Sequence, residues 1–237
     1  MRERVADVRA RIDRSARSAG REPSDVTLIA VTKTHPTEVL RVAVEIGLVD
    51  LGENRVQEAD GKISQLGRDA ARWHLIGHLQ ANKARRAIEL FDFIHSLDSV
   101  SLARRLDRLC HDAGRAELPV LVQVDLAHEA TKTGVSEAEL PGVVKAVGEC
   151  ERLRLVGLMT LPPFFDDAEM ARPFFRRLRQ LRDDLKTQGA FGDGQGELSM
   201  GMTNDFGVAV EEGATFVRVG TAIFGDRVTT TAPDTQK

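Results

Sequence analysis

The chain has 237 residues, of which 42% are hydrophobic, and its 33 basic and 36 acidic residues give a formal net charge of −3. This length fits one large domain, and the near balance of charge provides no overall field that would attract nucleic acid or an anionic membrane. The two cysteines form neither a CxxC pair nor a metal-binding spacing, and no segment approaches the roughly 20 apolar residues of a membrane span, so we expect a cytoplasmic protein without a bound metal.

The first predicted element is an amphipathic helix, because Val5, Val8, Ile12 and Ala16 recur at helical spacing. Short apolar segments then alternate with helical patterns. The first of these segments, Val26–Lys33, is rich in β-branched residues, as is typical of a strand buried on both faces. The predicted strands are 26–33, 49–54, 73–80, 91–99, 119–126, 154–161, 196–202 and 216–225. The predicted helices between them end near residues 45, 66, 90, 113, 150, 187 and 212.

Strands that alternate with helices predict a parallel sheet. Eight such units in one domain favour a closed barrel over an open sheet. We therefore expect an α/β protein with a single (β/α)8 TIM barrel and an extra N-terminal helix. The chain is expected to form one domain over residues 1–237, with the barrel core at about 26–227 and a polar, disordered tail at 228–237.

In a barrel of this kind the chemistry lies at the carboxyl ends of the strands. Lys33 ends the first predicted strand, whose centre is the apolar run Leu28–Val31. A lysine above an apolar floor is partly desolvated, which favours the neutral amine. A neutral amine can attack an aldehyde and form a Schiff base. The alternative is a lysine whose head group simply reaches solvent.

The last two predicted strands carry glycine turns that could bind an anion. They contain the segments Ser199–Met202 and Arg218–Thr221, each of which pairs a glycine with a hydroxyl residue. Glycine lets backbone N–H groups approach an anion closely, and the loops after strands seven and eight are the usual phosphate site of this fold. A cofactor that carries both an aldehyde and a phosphate is pyridoxal 5′-phosphate (PLP). The alternative is two ordinary glycine turns.

Seven segments, in this order, resemble the YggS/PROSC-type pyridoxal phosphate homeostasis proteins, whose barrel is similar to the N-terminal domain of alanine racemase. The resemblance extends from about residue 26 to residue 227. The segments are AVTKTHP (30–36), LGENRVQE (51–58), WHLIGHLQANK (73–83), IHSLDS (94–99), LVGLMTLPP (155–163), LSMGMTNDF (198–206) and VRVGTAIFG (217–225).

The resemblance implies that Lys33 forms the internal aldimine. It also implies that Arg218 faces the pyridine nitrogen, where a cation weakens the ring as an electron sink. Lys132, in the loop after the fifth strand, is implied as a second basic group at the barrel mouth. Arg55 departs from the family pattern, which commonly has an aromatic residue there. Further implied contacts are to the ring from Asn54, and to the phosphate from Ser199, Gly220, Thr221 and the backbone of Met200.

A racemase of the alanine type needs two opposed proton-transfer groups, of which the second is a tyrosine, and this chain contains no tyrosine. It also lacks the length for the second, all-β domain of such enzymes. We therefore expect a protein without robust catalysis that carries PLP as a Schiff base and passes it to apo forms of PLP-dependent enzymes. A PLP-dependent amino-acid racemase, or a related enzyme of weak activity, is the first alternative. A monomer or weak dimer is expected.

Two further classes of enzyme stay open as alternatives. A Schiff-base aldolase acting on a phosphorylated substrate would also use a barrel lysine, although Lys33 lies on the first strand. A glycosidase would need two of the carboxylates Glu53, Asp98 and Asp125. Aromatic residues make up only 5% of the chain, with one tryptophan, so a platform for stacking sugars is not expected.

Overall fold

The structure, a computed structural model, describes residues 1–127 and 133–225. In this part of the chain eight strands form a closed parallel barrel in sequence order. Strand β8 pairs with β1 from Thr27↔Phe216 to Ala30↔Val219 and thereby closes the barrel. The strands are β1 (Thr27–Val31), β2 (Asp50–Glu53), β3 (Arg72–Leu75), β4 (Phe93–Leu97), β5 (Leu118–Gln123), β6 (Leu153–Met159), β7 (Glu197–Ser199) and β8 (Phe216–Val219).

The helices lie before, between and after the strands. Proline occupies an early helical position in α6 and α7, and Ser99 caps α5 by accepting a hydrogen bond from the Leu102 N–H group at 3.2 Å. The α-helices are α1 (Arg2–Ser18), α2 (Thr37–Glu45), α3 (Val56–Leu66), α4 (Ala84–Leu90), α5 (Val100–Asp112), α6 (Leu140–Gly148), α7 (Arg172–Thr187), α8 (Phe206–Glu211) and α9 (Thr221–Phe224).

The predicted (β/α)8 barrel with an extra N-terminal helix is confirmed, and so is the number of strands. Most predicted strands are too long at their carboxyl ends. The prediction that the eighth strand reaches residue 225 is wrong, because the chain turns at Gly220 and α9 follows. Ile223 in α9 is fully buried, so its apolar character resembles that of a strand residue even though it packs as part of a helix.

The apolar core has two layers. The larger layer lies between the barrel and its helices and contains Trp73, Phe91 and Phe175, all fully buried. A smaller layer fills the inside of the barrel. Its buried members are Ile29, Leu121, Val156, Met159 and Phe216. Among the residues that the structure describes, none of the helices combines the length and the apolar surface that a membrane crossing requires.

Helix α1 covers the seam where the barrel closes. Its predicted apolar face is confirmed, since Val5, Val8, Ile12 and Ala16 are all buried. The helix packs against α8 and α9. Just after it, the Arg21 guanidinium donates hydrogen bonds to the carbonyl oxygens of Val210 (2.8 Å) and Ala214 (2.9 Å), at the end of α8. Arg21 thus joins the segment after α1 to the end of α8.

Candidate functional site at the mouth of the barrel

Lys33 lies two residues beyond β1, half-buried, in a tight turn. Thr34 in this turn has a φ of 68°, a left-handed conformation that residues other than glycine rarely adopt. The Thr34 N–H group donates a hydrogen bond to Glu58 Oε1 at 2.5 Å, and the His35 N–H group donates to the Thr32 carbonyl at 3.1 Å. These bonds hold the turn and therefore the backbone of Lys33.

A buried ion-pair cluster supports the Lys33 turn from behind. Lys62 Nζ lies 2.7 Å from Glu53 Oε1, 2.6 Å from Glu58 Oε1 and 2.7 Å from the Thr32 carbonyl oxygen. Burial raises the pKa of the Glu53 carboxyl, although the Lys62 charge opposes this shift. Breaking a buried ion pair costs about 3–5 kcal/mol, so the cluster firmly joins the end of β1 to β2 and α3.

The turn at Gly220 passes close to the Lys33 turn. A Cβ atom at Gly220 would lie 3.4 Å from both Cβ and the carbonyl oxygen of Val31, an ordinary van der Waals distance, so the two turns pack directly against each other. The rings of His35 and Phe224 are in contact, with centroids 4.7 Å apart. The structure therefore places the Gly220–Thr221 turn beside Lys33, as the predicted site requires.

The loop after β7 completes this corner of the mouth. Gly201 has a φ of 89°, and a Cβ atom there would lie 2.5 Å from Cβ of Ala209, so only glycine fits. The Met202 N–H group donates to Asp205 Oδ1 at 2.6 Å. Thr203 Oγ1 accepts a long hydrogen bond of 3.4 Å from the Ala222 N–H group. Thr203 thus joins the glycine turn after β7 to the glycine turn after β8. These two joined turns are called the cradle below.

Arg218 on β8 lies below this cradle with its side chain almost entirely buried. Its guanidinium donates to Ser199 Oγ at 2.6 Å and to the Thr160 carbonyl oxygen at 2.9 Å. Burial lowers the pKa of Arg218 to about 10, and the nearby Asp205 carboxylate opposes the shift. The Ser199 hydroxyl also lies 2.9 Å from His95 Nδ1. Ser199 is therefore engaged inside the barrel, and its implied phosphate contact stays a prediction.

Asn54 lies at the end of β2, half-buried, on the other side of the mouth. A Cβ atom at Gly77 would lie 2.4 Å from the Asn54 carbonyl oxygen, so the segment after β3 packs directly on Asn54. A cavity of about 790 Å³ opens beside Asn54 and extends to His78 and Lys83. Lys132 and the predicted tail at 228–237 lie outside the described residues.

The carboxylates of the glycosidase alternative have other partners. Glu53 is fully buried in the Lys62 cluster, and Asp98 Oδ2 lies 3.0 Å from His78 Nδ1. Within residues 1–127 and 133–225, no three His, Cys, Asp or Glu side chains are grouped as a metal site would require.

The residues at the mouth fit pyridoxal phosphate. A lysine, a buried cation and a cradle whose Gly201 leaves no room for a Cβ atom lie along the adjacent strands β1, β8 and β7. They match, in that order, the aldehyde, the ring nitrogen and the phosphate of the cofactor.

The family follows from the sequence and from the fold. Residues 5–228 match the family described as "Alanine racemase, N-terminal domain", which is the class of barrel that the chain forms. The chain is 43% identical over 225 residues to the "Pyridoxal phosphate homeostasis protein" of Pseudomonas aeruginosa, covering 95% of each chain. It is 41% identical over 231 residues to the protein of that name in Escherichia coli, covering 94% of this chain and 95% of the other. The chain therefore belongs to the family of pyridoxal phosphate homeostasis proteins.

Solved structures agree. PipY of Synechococcus elongatus, solved with PLP bound, is 38% identical to this chain and superposes with a TM-score of 0.82. The match covers 94% of this chain and 99% of PipY. An alanine racemase of Clostridium difficile shares the fold at 15% identity, with a TM-score of 0.70; this chain covers 56% of it.

Sequence reasoning missed three groups of residues near the site. Lys62 is placed on a helix by its pattern, and nothing in that pattern shows that it turns inward to Glu53. Thr203 lies within the segment LSMGMTNDF, and nothing in that segment shows that its hydroxyl accepts a hydrogen bond from the Ala222 N–H group. His74 and His95 were not recognised as barrel-interior residues; alternation along β3 and β4 would have placed them on one face of the sheet.

Proposed function

We propose that this protein binds pyridoxal phosphate at the barrel mouth, covalently through the Lys33 amine, and takes part in PLP homeostasis. The observation that carries the proposal is the joining of three groups by adjacent strands: Lys33 after β1, Arg218 within β8 and the glycine turns after β7 and β8. Bound PLP supplies an aldehyde that condenses with amines and an aromatic ring that can stabilise negative charge.

Different residues of the protein are proposed to bind different parts of the cofactor. The Lys62 cluster fixes the turn that presents the Lys33 amine. N–H groups of the Gly220–Thr221 turn and the Thr203 hydroxyl are proposed to hold the phosphate. The Met200 N–H group, which was expected to contribute, donates instead to the Phe216 carbonyl oxygen at 3.1 Å. We assign Ser199 to the ring end of the site, in place of its expected phosphate contact, because its hydroxyl is bound to Arg218 and lies against His95. Asn54 is proposed to lie against the ring from the β2 side.

Arg218 is proposed to face the ring nitrogen. A cation there disfavours protonation of that nitrogen and so limits the electron withdrawal on which amino-acid chemistry depends. The chain contains no tyrosine that could act as the second acid–base group of a racemase. Both features favour a carrier, which binds PLP and delivers it to apo-enzymes, over an enzyme with robust activity. We propose that this carrier is a single-domain cytoplasmic protein, either a monomer or a weak dimer.

The test is borohydride reduction of the protein saturated with PLP, followed by peptide mass mapping. We expect a yellow protein with one pyridoxyl label on Lys33, and neither colour nor label in Lys33→Arg, which keeps the charge but lacks a nucleophilic amine. Lys83→Arg, beside the cavity at Asn54, is the matched control and retains the label. A label scattered over surface lysines, or retained in Lys33→Arg, would contradict the proposal.

A further inference from the structure

A chain of five polar side chains crosses the inside of the barrel, from Arg218 near the mouth to Asp50 at the floor. Arg218 Nη1 lies 2.6 Å from Ser199 Oγ, and Ser199 Oγ lies 2.9 Å from His95 Nδ1. His95 Nε2 lies 3.0 Å from His74 Nδ1, and His74 Nε2 lies 3.0 Å from Asp50 Oδ1. The five side chains come from β8, β7, β4, β3 and β2, and none is more than 5% exposed.

When both imidazoles are neutral, the chemistry of the two ends fixes the direction of every hydrogen bond. The Asp50 carboxylate only accepts, so His74 carries its proton on Nε2 and accepts at Nδ1 when neutral. His95 then donates from Nε2 and accepts at Nδ1, which leaves the Ser199 hydroxyl to donate to it. Arg218 only donates, and Ser199 Oγ accepts from it. The chain therefore runs in one direction, with a cation at its head, a carboxylate at its foot and two neutral imidazoles between them.

The surroundings favour this uncharged middle. The His74 ring stacks on Phe93, with centroids 4.8 Å apart and planes 8° apart, and both histidine rings contact Phe216. Complete burial, with a smaller contribution from the Arg218 charge, holds the pKa of His95 well below its ordinary value. Buried hydrogen-bonded chains of this kind polarise one another and are costly to interrupt.

The foot of the chain reaches a second cavity, on the side of the barrel opposite the mouth. This floor cavity of about 450 Å³ is lined by Asp50, His74 and Arg72, among others. Arg72 Nη2 lies 2.7 Å from Asp50 Oδ2 and is 57% exposed. Burial alone would raise the pKa of Asp50, but the hydrogen bonds from His74 and Arg72 outweigh it and lower that pKa. The carboxylate is thus ionised and anchored at the floor.

We propose that His95 and His74, anchored on Asp50, are positioning residues that set the orientation of the Arg218 guanidinium through the Ser199 hydroxyl. This inference rests on the proposed function, in which Arg218 faces the cofactor ring nitrogen. This hydrogen-bonded chain of side chains explains why two histidines lie inside the barrel, although the other cluster of interior residues is apolar. It makes the electronic state of the bound cofactor depend on His74 and Asp50, which are linked to Arg218 through His95 and Ser199.

The first test needs no cofactor. Nitrogen NMR of the protein labelled at histidine reports which ring nitrogen carries the proton. We expect both His74 and His95 to carry a proton on Nε2, and assign their signals with His74→Gln and His95→Gln. A proton on His95 Nδ1 would reverse the chain and overturn the assignment.

The second test uses the visible absorption band and Kd of PLP bound to Lys33. We expect His95→Leu to shift the band and weaken binding roughly tenfold, equivalent to about 1.4 kcal/mol. His95→Gln, whose amide accepts and donates at similar reach, is expected to restore both. Ser199→Ala is expected to give the same shift, and the double variant with His95→Leu no further shift. Met159→Leu, buried in the same barrel interior, is the control and leaves the band unchanged.

The outcomes separate this inference from the proposed function. A pyridoxyl label on Lys33 of the wild-type protein, with identical bands for wild type and His95→Leu, would overturn the inference alone. Additive shifts for Ser199→Ala and His95→Leu would exclude action through Ser199. Absence of the label from wild-type Lys33 would overturn the proposed function, and the NMR result would still decide whether the chain exists as assigned.

Discussion

Asp50 shows how one buried carboxylate links stability to pH. Its pKa lies below the ordinary value of 3.8, because hydrogen bonds from His74 and Arg72 outweigh the effect of burial. A carboxyl whose pKa is lowered by folding contributes stability above the pKa of the unfolded chain, and that contribution is lost as the pH falls through the folded pKa.

We predict that Asp50→Asn lowers the free energy of unfolding by about 1–3 kcal/mol at pH 7. The difference from wild type should shrink as the pH falls below 3.8, because the unfolded chain then takes up a proton that the folded carboxylate resists. Urea unfolding at pH 7 and pH 3 measures both values. Asp13→Asn, at an exposed position on α1, is the control and should match wild type at both pH values. A difference independent of pH would show that the Asp50 charge is unimportant.

At the scale of elements, α7 and α8 are joined by a carboxylate with several arginine partners. Glu212, next to the end of α8, is 4% exposed, and its Oε1 lies 3.1 Å from Arg172 and 3.0 Å from Arg176. Burial would raise the pKa of Glu212, but the hydrogen bonds from these arginines outweigh it and lower that pKa. The charged face of α7 is therefore a structural contact on this side, and only its outer residues face solvent.

Glu212→Gln is predicted to reduce the free energy of unfolding by about 1–3 kcal/mol, because it leaves a cluster of arginines without their common carboxylate. The loss should be smaller in high salt, which screens the arginines from one another. The matched control is Glu117→Gln, whose exposed pair with Arg154 should contribute less than about 1 kcal/mol. Equal losses for both variants would contradict a special role for Glu212.

For the whole molecule, the question is whether α1 belongs to the same cooperative unit as the barrel. Val8 is fully buried between α1 and the closing seam. We predict that Val8→Ala lowers the free energy of unfolding by about 2 kcal/mol and shifts a single transition. Far- and near-ultraviolet circular dichroism should report the same midpoint. Arg2→Ala, exposed on the same helix, should have no effect; a separate early transition in Val8→Ala would show that α1 unfolds by itself.

Much of this architecture was predictable because it depends on local patterns. The spacing of Val5, Val8, Ile12 and Ala16 and the eight alternating apolar segments reflect burial that each segment encodes alone. The location of Lys33 and of the Gly220 turn at the barrel mouth was predictable because strand ends and glycines have known places in this fold.

The rest depends on contacts between distant segments. Lys62 resembles any solvated helix residue until α3 is packed against Glu53. The chain from Arg218 to Asp50 joins five strands, and no single stretch of sequence contains more than one of its members. The carboxyl ends of the strands were predicted too late in the sequence, because apolar residues that follow the strands continue the apolar pattern. Ile223, which is buried in α9 after β8, is one such residue.

The pairing of β1 with β8 also bears on the protein's synthesis on the ribosome. Lys33 is translated early, whereas Arg218 and Gly220 are among the last described residues to emerge, and Arg21 must wait for the carbonyls of Val210 and Ala214. A nascent chain truncated before β8 would contain the Lys33 amine, but it would lack the buried Arg218 and the turn at Gly220. Retention of the cofactor would then mark a polypeptide translated through β8 and the turn that follows it, and fragments that end earlier would leave PLP free for other proteins.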